Sequence, residues 1–173
     1  MIAVARRQLT IGLHSTTRGF GWIAFEGPFA PFDWGLVTVT KDKNPTCLRR
    51  IERLLRRLEP ETLVVESFEV RNSTRSERIR RLYQAVVALA ADHSIGVAIF
   101  TRPDVEACFR PAGARTRHEI AAAVARCIPA LRVRLPSPRR LWDAEDWRMA
   151  LFSAAALVLT SYHLDASSLL DQL

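Results

Sequence analysis

The chain has 173 residues, and 49% of them are hydrophobic, which excludes a disordered chain and is enough to bury the core of one domain. The net charge is +7, and Lys41 and Lys43 are the only lysines among the basic residues. Arginine forks onto phosphate and stacks on bases better than lysine does. The composition therefore favours an anionic partner, nucleic acid ahead of a membrane surface, although genomic base composition explains any single arginine equally well.

The three cysteines, Cys47, Cys108 and Cys127, are odd in number, far apart and without a CxxC pair. This spacing indicates neither a zinc site nor a disulfide framework, so we expect reduced, mostly buried cysteines in a cytoplasmic protein. The first residues contain no apolar run long enough for a signal peptide. The longest apolar stretch, Met149–Leu159, is too short to span a bilayer, so we expect no membrane association.

Three strands are predicted at the start of the chain, over Gln8–Leu13, Gly19–Phe25 and Phe32–Thr40. The linker at 14–19 is small and polar, as a tight hairpin requires. Trp34 and Leu36 fall on one face of the third strand. These segments predict an antiparallel meander.

Helices and short buried strands alternate after the meander. Leu48, Ile51, Leu55 and Leu58 are spaced to form one face of a helix that ends before Pro60. The β-branched run Thr62–Glu66 is typical of a buried parallel strand. The remaining predicted elements are a helix over Ser76–His93, a strand over Ile95–Thr101 and helices over Arg117–Cys127 and Trp142–Tyr162.

The predicted element order is β-β-β-α-β-α-β-α-α. A meander followed by βα alternation indicates an α/β fold with a mixed five-stranded sheet and helices on both faces. We expect one domain over residues 1–173, with flexible ends at 1–7 and 164–173. The order resembles that of the RNase H-like fold, but fold alone is weak evidence of function.

Three acidic residues are candidates for chemistry. Glu66 follows the apolar run 63–65, where the carboxyl end of a strand opens into a crevice. Asp143 and Asp146 are three residues apart, so they share one face of the first turn of the predicted last helix, whose N-terminus favours negative charge. Mg²⁺ prefers carboxylate oxygens and water, and two ions roughly 4 Å apart activate water on a phosphodiester. The alternatives are helix caps for the aspartates and a surface strand end for Glu66.

Four short segments, in this order along the chain, resemble the motifs of RuvC-like nucleases, the Holliday junction resolvases. They are Ile11–Trp22, with Gly19-Phe20-Gly21; Val64–Phe68; Phe109–Arg117; and Asp143–Ala150. The resemblance covers about residues 9–162. It implies a homodimeric, metal-dependent endonuclease that acts on branched or otherwise structured DNA with Mg²⁺ or Mn²⁺, and it implies that Glu66, Asp143 and Asp146 are catalytic metal ligands.

His14 departs from the family pattern, because it stands where the resemblance implies the first metal-bridging aspartate. Neutral imidazole has one lone pair and no charge, so it cannot bridge two metals as a carboxylate does, and it suits Mn²⁺ or Zn²⁺ better than Mg²⁺. Three outcomes are open for a site with histidine at this position. It cleaves with a softer metal, it cleaves weakly, or it is inactive. Because three acidic candidates remain, the sequence favours a working site with His14 as an atypical fourth ligand.

Arginines near these positions are predicted to bind nucleic-acid phosphates. They are Arg18, Arg71, Arg75, Arg78, Arg81, Arg115 and Arg117. A solvated helix face is the alternative for the cluster after Glu66. Trp142 and Trp147 flank the aspartates and either pack in the protein or stack on a splayed base.

The sequence thus leaves three functions open. The first is the metal-dependent endonuclease acting on branched or single-stranded DNA. The second is a catalytically inactive nucleic-acid-binding module with the same fold and basic face. The third is a structural subunit that binds protein.

Overall fold

The computed structural model describes residues 8–67 and 77–170. The strands are β1 Thr10–Ser15, β2 Gly19–Gly27, β3 Ala30–Thr38, β4 Thr62–Glu66 and β5 Gly96–Phe100. The helices are α1 Lys43–Leu58, α2 Glu77–Asp92, α3 Arg102–Phe109, α4 Arg117–Cys127 and α5 Met149–Leu170. Short 3-10 helices occupy Arg110–Ala112 and Pro129–Arg134.

The five strands form one mixed sheet in the order β3-β2-β1-β4-β5. The first three pair antiparallel, and β4 pairs parallel with both β1 and β5. This arrangement confirms the predicted mixed sheet, with a meander followed by parallel strands. The carboxyl ends of β1 and β4 are neighbours at one edge of the layer.

Helices cover both faces of the sheet. Ile11 and Leu13 point into a core formed with α1 and α2. Side chains alternate along a strand, so Gly12 and His14 face the other layer, where α3, α4 and α5 pack against β2 and β4. The two cores together bury most of the large apolar side chains.

Helix α5 lies directly on the backbone of the central hairpin. A Cβ atom at Gly12 would lie 2.3 Å from the carbonyl oxygen of Ala154, and one at Gly21 would lie 2.4 Å from the carbonyl carbon of Ala150. Gly21 is the register partner of His14. The two glycines therefore let the first turns of α5 approach the end of β1 at His14.

The predicted start of the last helix, at Trp142, is wrong. The helix begins at Met149 and continues to Leu170 instead of ending at Tyr162. Burial begins at Met149, whereas Trp142 and its neighbours are largely exposed and have no apolar face to pack. Asp143 and Asp146 consequently lie in turns before the helix, and the chain end predicted to be flexible is helical through Leu170.

Two further differences concern the strands and a missed helix. The first strand runs two residues later than predicted, so it contains His14. Helix α3 was not predicted, although a capping box at Thr101 and Asp104 begins it. All three cysteines are free, but only Cys47 is buried, while Cys127 is exposed.

One described helix has the length and composition of a membrane span, the Met149–Ser167 part of α5. Two-thirds of that stretch, 67%, is buried inside the protein. Its apolar side chains cover the sheet, so packing accounts for its hydropathy and no membrane is indicated.

Candidate functional site

His14 and Glu66 lie together at the ends of the two adjacent parallel strands. Each directly follows a residue of the pair formed by Leu13 and Val65. His14 is only 5% exposed, and its Nδ1 lies 3.3 Å from Oε2 of Glu66. The structure therefore brings two of the four predicted site residues together, on the face covered by α4 and α5.

Arg117 reaches this pair from the first residue of α4. Thr116 and Glu119 form a capping box that fixes the start of that helix. The Arg117 guanidinium donates from Nη1 to Oε2 of Glu145 at 2.7 Å and from Nη2 to Oγ of Ser153 at 3.2 Å. The same Nη2 lies 3.4 Å from Nε2 of His14. A permanently charged group thus lies beside the buried imidazole.

The contact with Arg117 suits one neutral tautomer of His14. A guanidinium only donates hydrogen bonds, so Nε2 of His14 acts as the acceptor in its contact with Arg117. In a neutral ring the proton is then on Nδ1, the atom that faces the Glu66 carboxylate. The result is a chain of contacts from Glu66 through His14 to Arg117, and from Arg117 on to Glu145.

This arrangement does not fit a divalent metal centre. In the tautomer that accepts from Arg117, that contact uses the lone pair of His14 Nε2, and Nδ1 carries the proton. The guanidinium beside the imidazole is already paired with Glu145, so it adds no net negative charge that would attract a cation. Within residues 8–67 and 77–170, no group of three or more histidine, cysteine, aspartate or glutamate side chains is placed to hold a metal ion.

Asp143 and Asp146 have other partners. Both carboxylate oxygens of Asp146 accept hydrogen bonds from the Arg148 side chain, at 2.7 to 3.2 Å. These bonds hold the pKa of the Asp146 carboxyl below its usual value. Oδ2 of Asp143 accepts from the backbone N–H of Arg140 at 3.0 Å. Both aspartates therefore stabilise turns before α5, and their role as metal ligands stays a prediction.

The predicted phosphate-binding arginines differ in their surroundings. Arg78 is half-buried and donates to Oδ1 of Asn44 and to the carbonyl oxygen of Thr16. Arg81 is exposed and pairs with Glu77. Arg18 and Arg115 are exposed, while Arg71 and Arg75 lie outside the described residues.

An open cleft of about 710 Å³ begins beside Arg117. Arginines 102, 115, 117 and 139 line it, together with Glu119, Glu145 and Asp146. Glu119 accepts from the backbone N–H groups of Arg115 and Thr116, which also lowers the pKa of its carboxyl. Since Glu145 and Asp146 pair with arginines as well, each acidic group on the wall already has a partner.

Ser153 and Glu145 were not predicted as site residues. Ser153 is a single hydroxyl within an alanine-rich helix, and nothing in its sequence surroundings sets it apart. The available signal was Gly12 and Gly21, because glycines on the His14 face of a hairpin indicate close approach of another element. Glu145 was visible only as an acidic residue between the two aspartates.

No protein-family model matches the chain, and no curated protein matches it in sequence. Solved structures do match. RuvC of T. thermophilus in complex with a Holliday junction substrate has a TM-score of 0.65 and 16% identity, over 92% of this chain and 96% of that one. A Thermus thermophilus RuvC structure has a TM-score of 0.62 and 20% identity, over 92% and 97%.

The yeast mitochondrial Holliday junction resolvase Ydc2 is also similar, with a TM-score of 0.59 and 11% identity over 95% of this chain and 83% of that one. At these identities the likeness concerns the fold. The order of the five strands, the parallel pairing of β4 and the helices on both faces agree with it. The chain therefore has the RNase H-like fold of the RuvC resolvases.

Proposed function

We propose that this protein binds branched or otherwise structured DNA without catalytic metals. The contact between Nη2 of Arg117 and Nε2 of His14, at 3.4 Å, carries the proposal. It uses the lone pair of His14 and places a guanidinium, itself paired with Glu145, beside the imidazole. The site then offers phosphate a guanidinium in place of a metal ion.

Charge supports nucleic acid as the partner. The chain carries a net charge of +7, and the cleft beside Arg117 is lined by four arginines. Among the described residues, Arg139 forms no ion pair, and Arg115 acts on the Glu119 carboxylate only through its charge. Phosphates entering the cleft would release counterions, and binding would weaken as salt rises. A structure similar to this chain holds a Holliday junction substrate, which makes branched DNA the first substrate to test.

The second candidate is a metal-dependent endonuclease that uses Mg²⁺ or Mn²⁺. The approach of His14 to Glu66 at the ends of adjacent strands favours it. In that function His14, Glu66, Asp143 and Asp146 bind the metal. Arg117 would have to release His14, and the aspartates would have to leave Arg140 and Arg148. The binding function needs none of these rearrangements.

One assay separates the two candidates. Labelled four-way, duplex and single-stranded DNA are incubated with native protein and with His14→Asp, His14→Ala and Glu66→Ala, in EDTA, Mg²⁺ or Mn²⁺. The proposal expects salt-sensitive binding in EDTA by the native protein and no cleavage in any metal. Native cleavage in Mn²⁺ that His14→Ala and Glu66→Ala both abolish would establish the endonuclease instead. Absence of binding to every DNA would overturn both candidates and leave a protein-binding structural subunit.

A cytoplasmic location and a homodimer belong to the same proposal. Free Cys47, Cys108 and Cys127 agree with a reducing compartment. Sedimentation of the native protein with and without four-way DNA tests the dimer, which should sediment as two chains on one junction.

A further inference from the structure

The segment between the second 3-10 helix and α5 lines part of the cleft with Pro136–Arg139 and also exposes an aromatic side chain. Trp142 is 77% exposed, and the preceding Leu141 is fully exposed. The segment is fixed at its base, since Nε2 of His118 donates to the carbonyl oxygen of Pro136 at 2.9 Å. Pro136 and Pro138 also restrict the backbone there. An indole is therefore held out in solvent by an anchored loop.

Arginines lie on this ring and in the segment that leads to it. The guanidinium carbon of Arg140 lies 5.8 Å from the centre of the Trp142 ring system. Arg139 donates from Nη1 to the carbonyl oxygen of Asp143, which leaves its charge without a counterion among the described residues. Arg139 and Arg115 both line the cleft that begins at Arg117. One exposed indole and several arginines thus occur in or next to the segment that lines part of the cleft.

We infer that Trp142 is a stacking platform for an unpaired base, with the adjoining phosphates held in the cleft by Arg115 and Arg139. The inference rests on the proposed function and names the form of DNA that this edge recognises. Base–aromatic stacking next to a basic groove is the usual means of holding single-stranded nucleic acid, because every base has a π-face. Arg140 stacks against the same ring and adds a cation–π contact.

The charge of the surface favours nucleic acid over an apolar protein partner. A protein interface of this kind has a core depleted of charge, whereas Arg139 and Arg140 precede Trp142 in the sequence and the Arg140 guanidinium lies over its ring. Unpaired bases occur where a DNA branch opens. Stacking on Trp142 should therefore raise the affinity for branched or partly single-stranded DNA above the affinity for a duplex.

Binding of a labelled oligodeoxythymidine strand and of a duplex of equal length tests the inference. Trp142→Ala should weaken single-strand binding about 10-fold or more, because this is the range for loss of one stacked base, and should change duplex binding less than 2-fold. Trp142→Phe should restore most of the affinity. The matched control is Val133→Ala, which removes an 89% exposed apolar side chain without a π-face and should bind as the native protein does.

The outcomes distinguish this inference from the proposed function. Single-strand binding that Trp142→Ala leaves unchanged would overturn the platform and leave DNA binding intact. An equal loss of affinity for the single strand and for the duplex would also overturn it, because Trp142 would then only maintain the conformation of the loop. Self-association of the native protein that Trp142→Ala abolishes would show a second copy on this surface instead. Failure of the native protein to bind any DNA would overturn the proposed function itself.

Discussion

Two arginines approach the end of β1 from opposite faces of the sheet, and their partners differ. Arg78, from α2, donates to neutral acceptors, Oδ1 of Asn44 and the carbonyl oxygen of Thr16. Arg117, from α4, contacts a carboxylate, a hydroxyl and the imidazole of His14. Arg78 joins backbone segments, whereas Arg117 compensates charge at the edge of an open cleft.

The sequence predicted both arginines as phosphate ligands, and the comparison separates them. The bonds of Arg78 are satisfied within the fold, so a phosphate would have to displace structural contacts. Arg117 is 38% exposed and borders the cleft, so a phosphate can share its donors. Position near a strand end is therefore not enough to assign an arginine to binding.

The position of Arg117 depends on α5, because Ser153 of this helix accepts a hydrogen bond from its guanidinium. Gly12→Val should remove this support, because its side chain would overlap the backbone of Ala154 and the side chain of Val158. We expect destabilisation of about 3 kcal/mol or more, the upper range for overpacking, measured by urea unfolding. Gly27→Ala is the control, since nothing lies within 4 Å of its added Cβ. Equal stability of the two variants would contradict the packing of α5 on β1.

Arg78→Ala tests the structural side of the comparison. It removes charged hydrogen bonds to Asn44 and Thr16, so we expect a loss of about 2 kcal/mol in the free energy of unfolding. Arg81→Ala, which breaks an exposed pair with Glu77, should cost less than about 0.5 kcal/mol. The salt dependence of DNA binding should be the same in Arg78→Ala as in the native protein. A weaker salt dependence of DNA binding in Arg78→Ala would instead show that Arg78 contacts a phosphate.

Arg117→Ala tests whether the arginine at the cleft binds phosphate. We expect a loss of about 1 kcal/mol in DNA affinity, and the slope of log affinity against log salt should fall by about one, as for one lost phosphate contact. The free energy of unfolding should change less than it does in Arg78→Ala. Filter binding at four salt concentrations measures the slope, and an unchanged slope would mean that Arg117 serves only the internal chain of contacts.

Asp146→Asn should give the smallest effect. Bonds from Arg148 lower the pKa of the Asp146 carboxyl in the folded protein, so its contribution to stability is present above the unfolded value near 4. That contribution disappears as pH falls through the lower folded value. We expect the native protein to exceed the variant by less than about 1 kcal/mol in the free energy of unfolding at pH 7, and the difference to disappear as pH falls through the lowered pKa of Asp146. A difference that grows in acid would contradict the ion pair.

The sequence predicted the sheet well because each strand has a local signature. The β-branched run at 62–66 and the polar linker at 14–19 identify β4 and the first hairpin without tertiary information. The start of α5 was misplaced because Asp143 and Asp146 have the spacing of a helix cap. Their turns are instead stabilised by Arg140 and Arg148.

The candidate site was predicted in part for a different reason. Glu66 was identified because it ends a predicted strand, and His14 because the family resemblance places an aspartate at its position. Adjacency of the two strands follows from the fold. Arg117 was expected at phosphate and not at His14, since its contact spans 103 residues of sequence and depends on how α4 packs. Ser153 faces the same guanidinium only because glycines in the hairpin admit α5.

Titration of the native protein with Mn²⁺, followed by calorimetry and by the electron paramagnetic resonance signal of free Mn²⁺, tests the central claim most directly. Because Arg117 contacts Nε2 of His14, we expect no stoichiometric Mn²⁺ binding at the strand ends and equal binding of four-way DNA in Mn²⁺ and in EDTA. One or two Mn²⁺ bound per chain, and lost in Glu66→Gln, would contradict it.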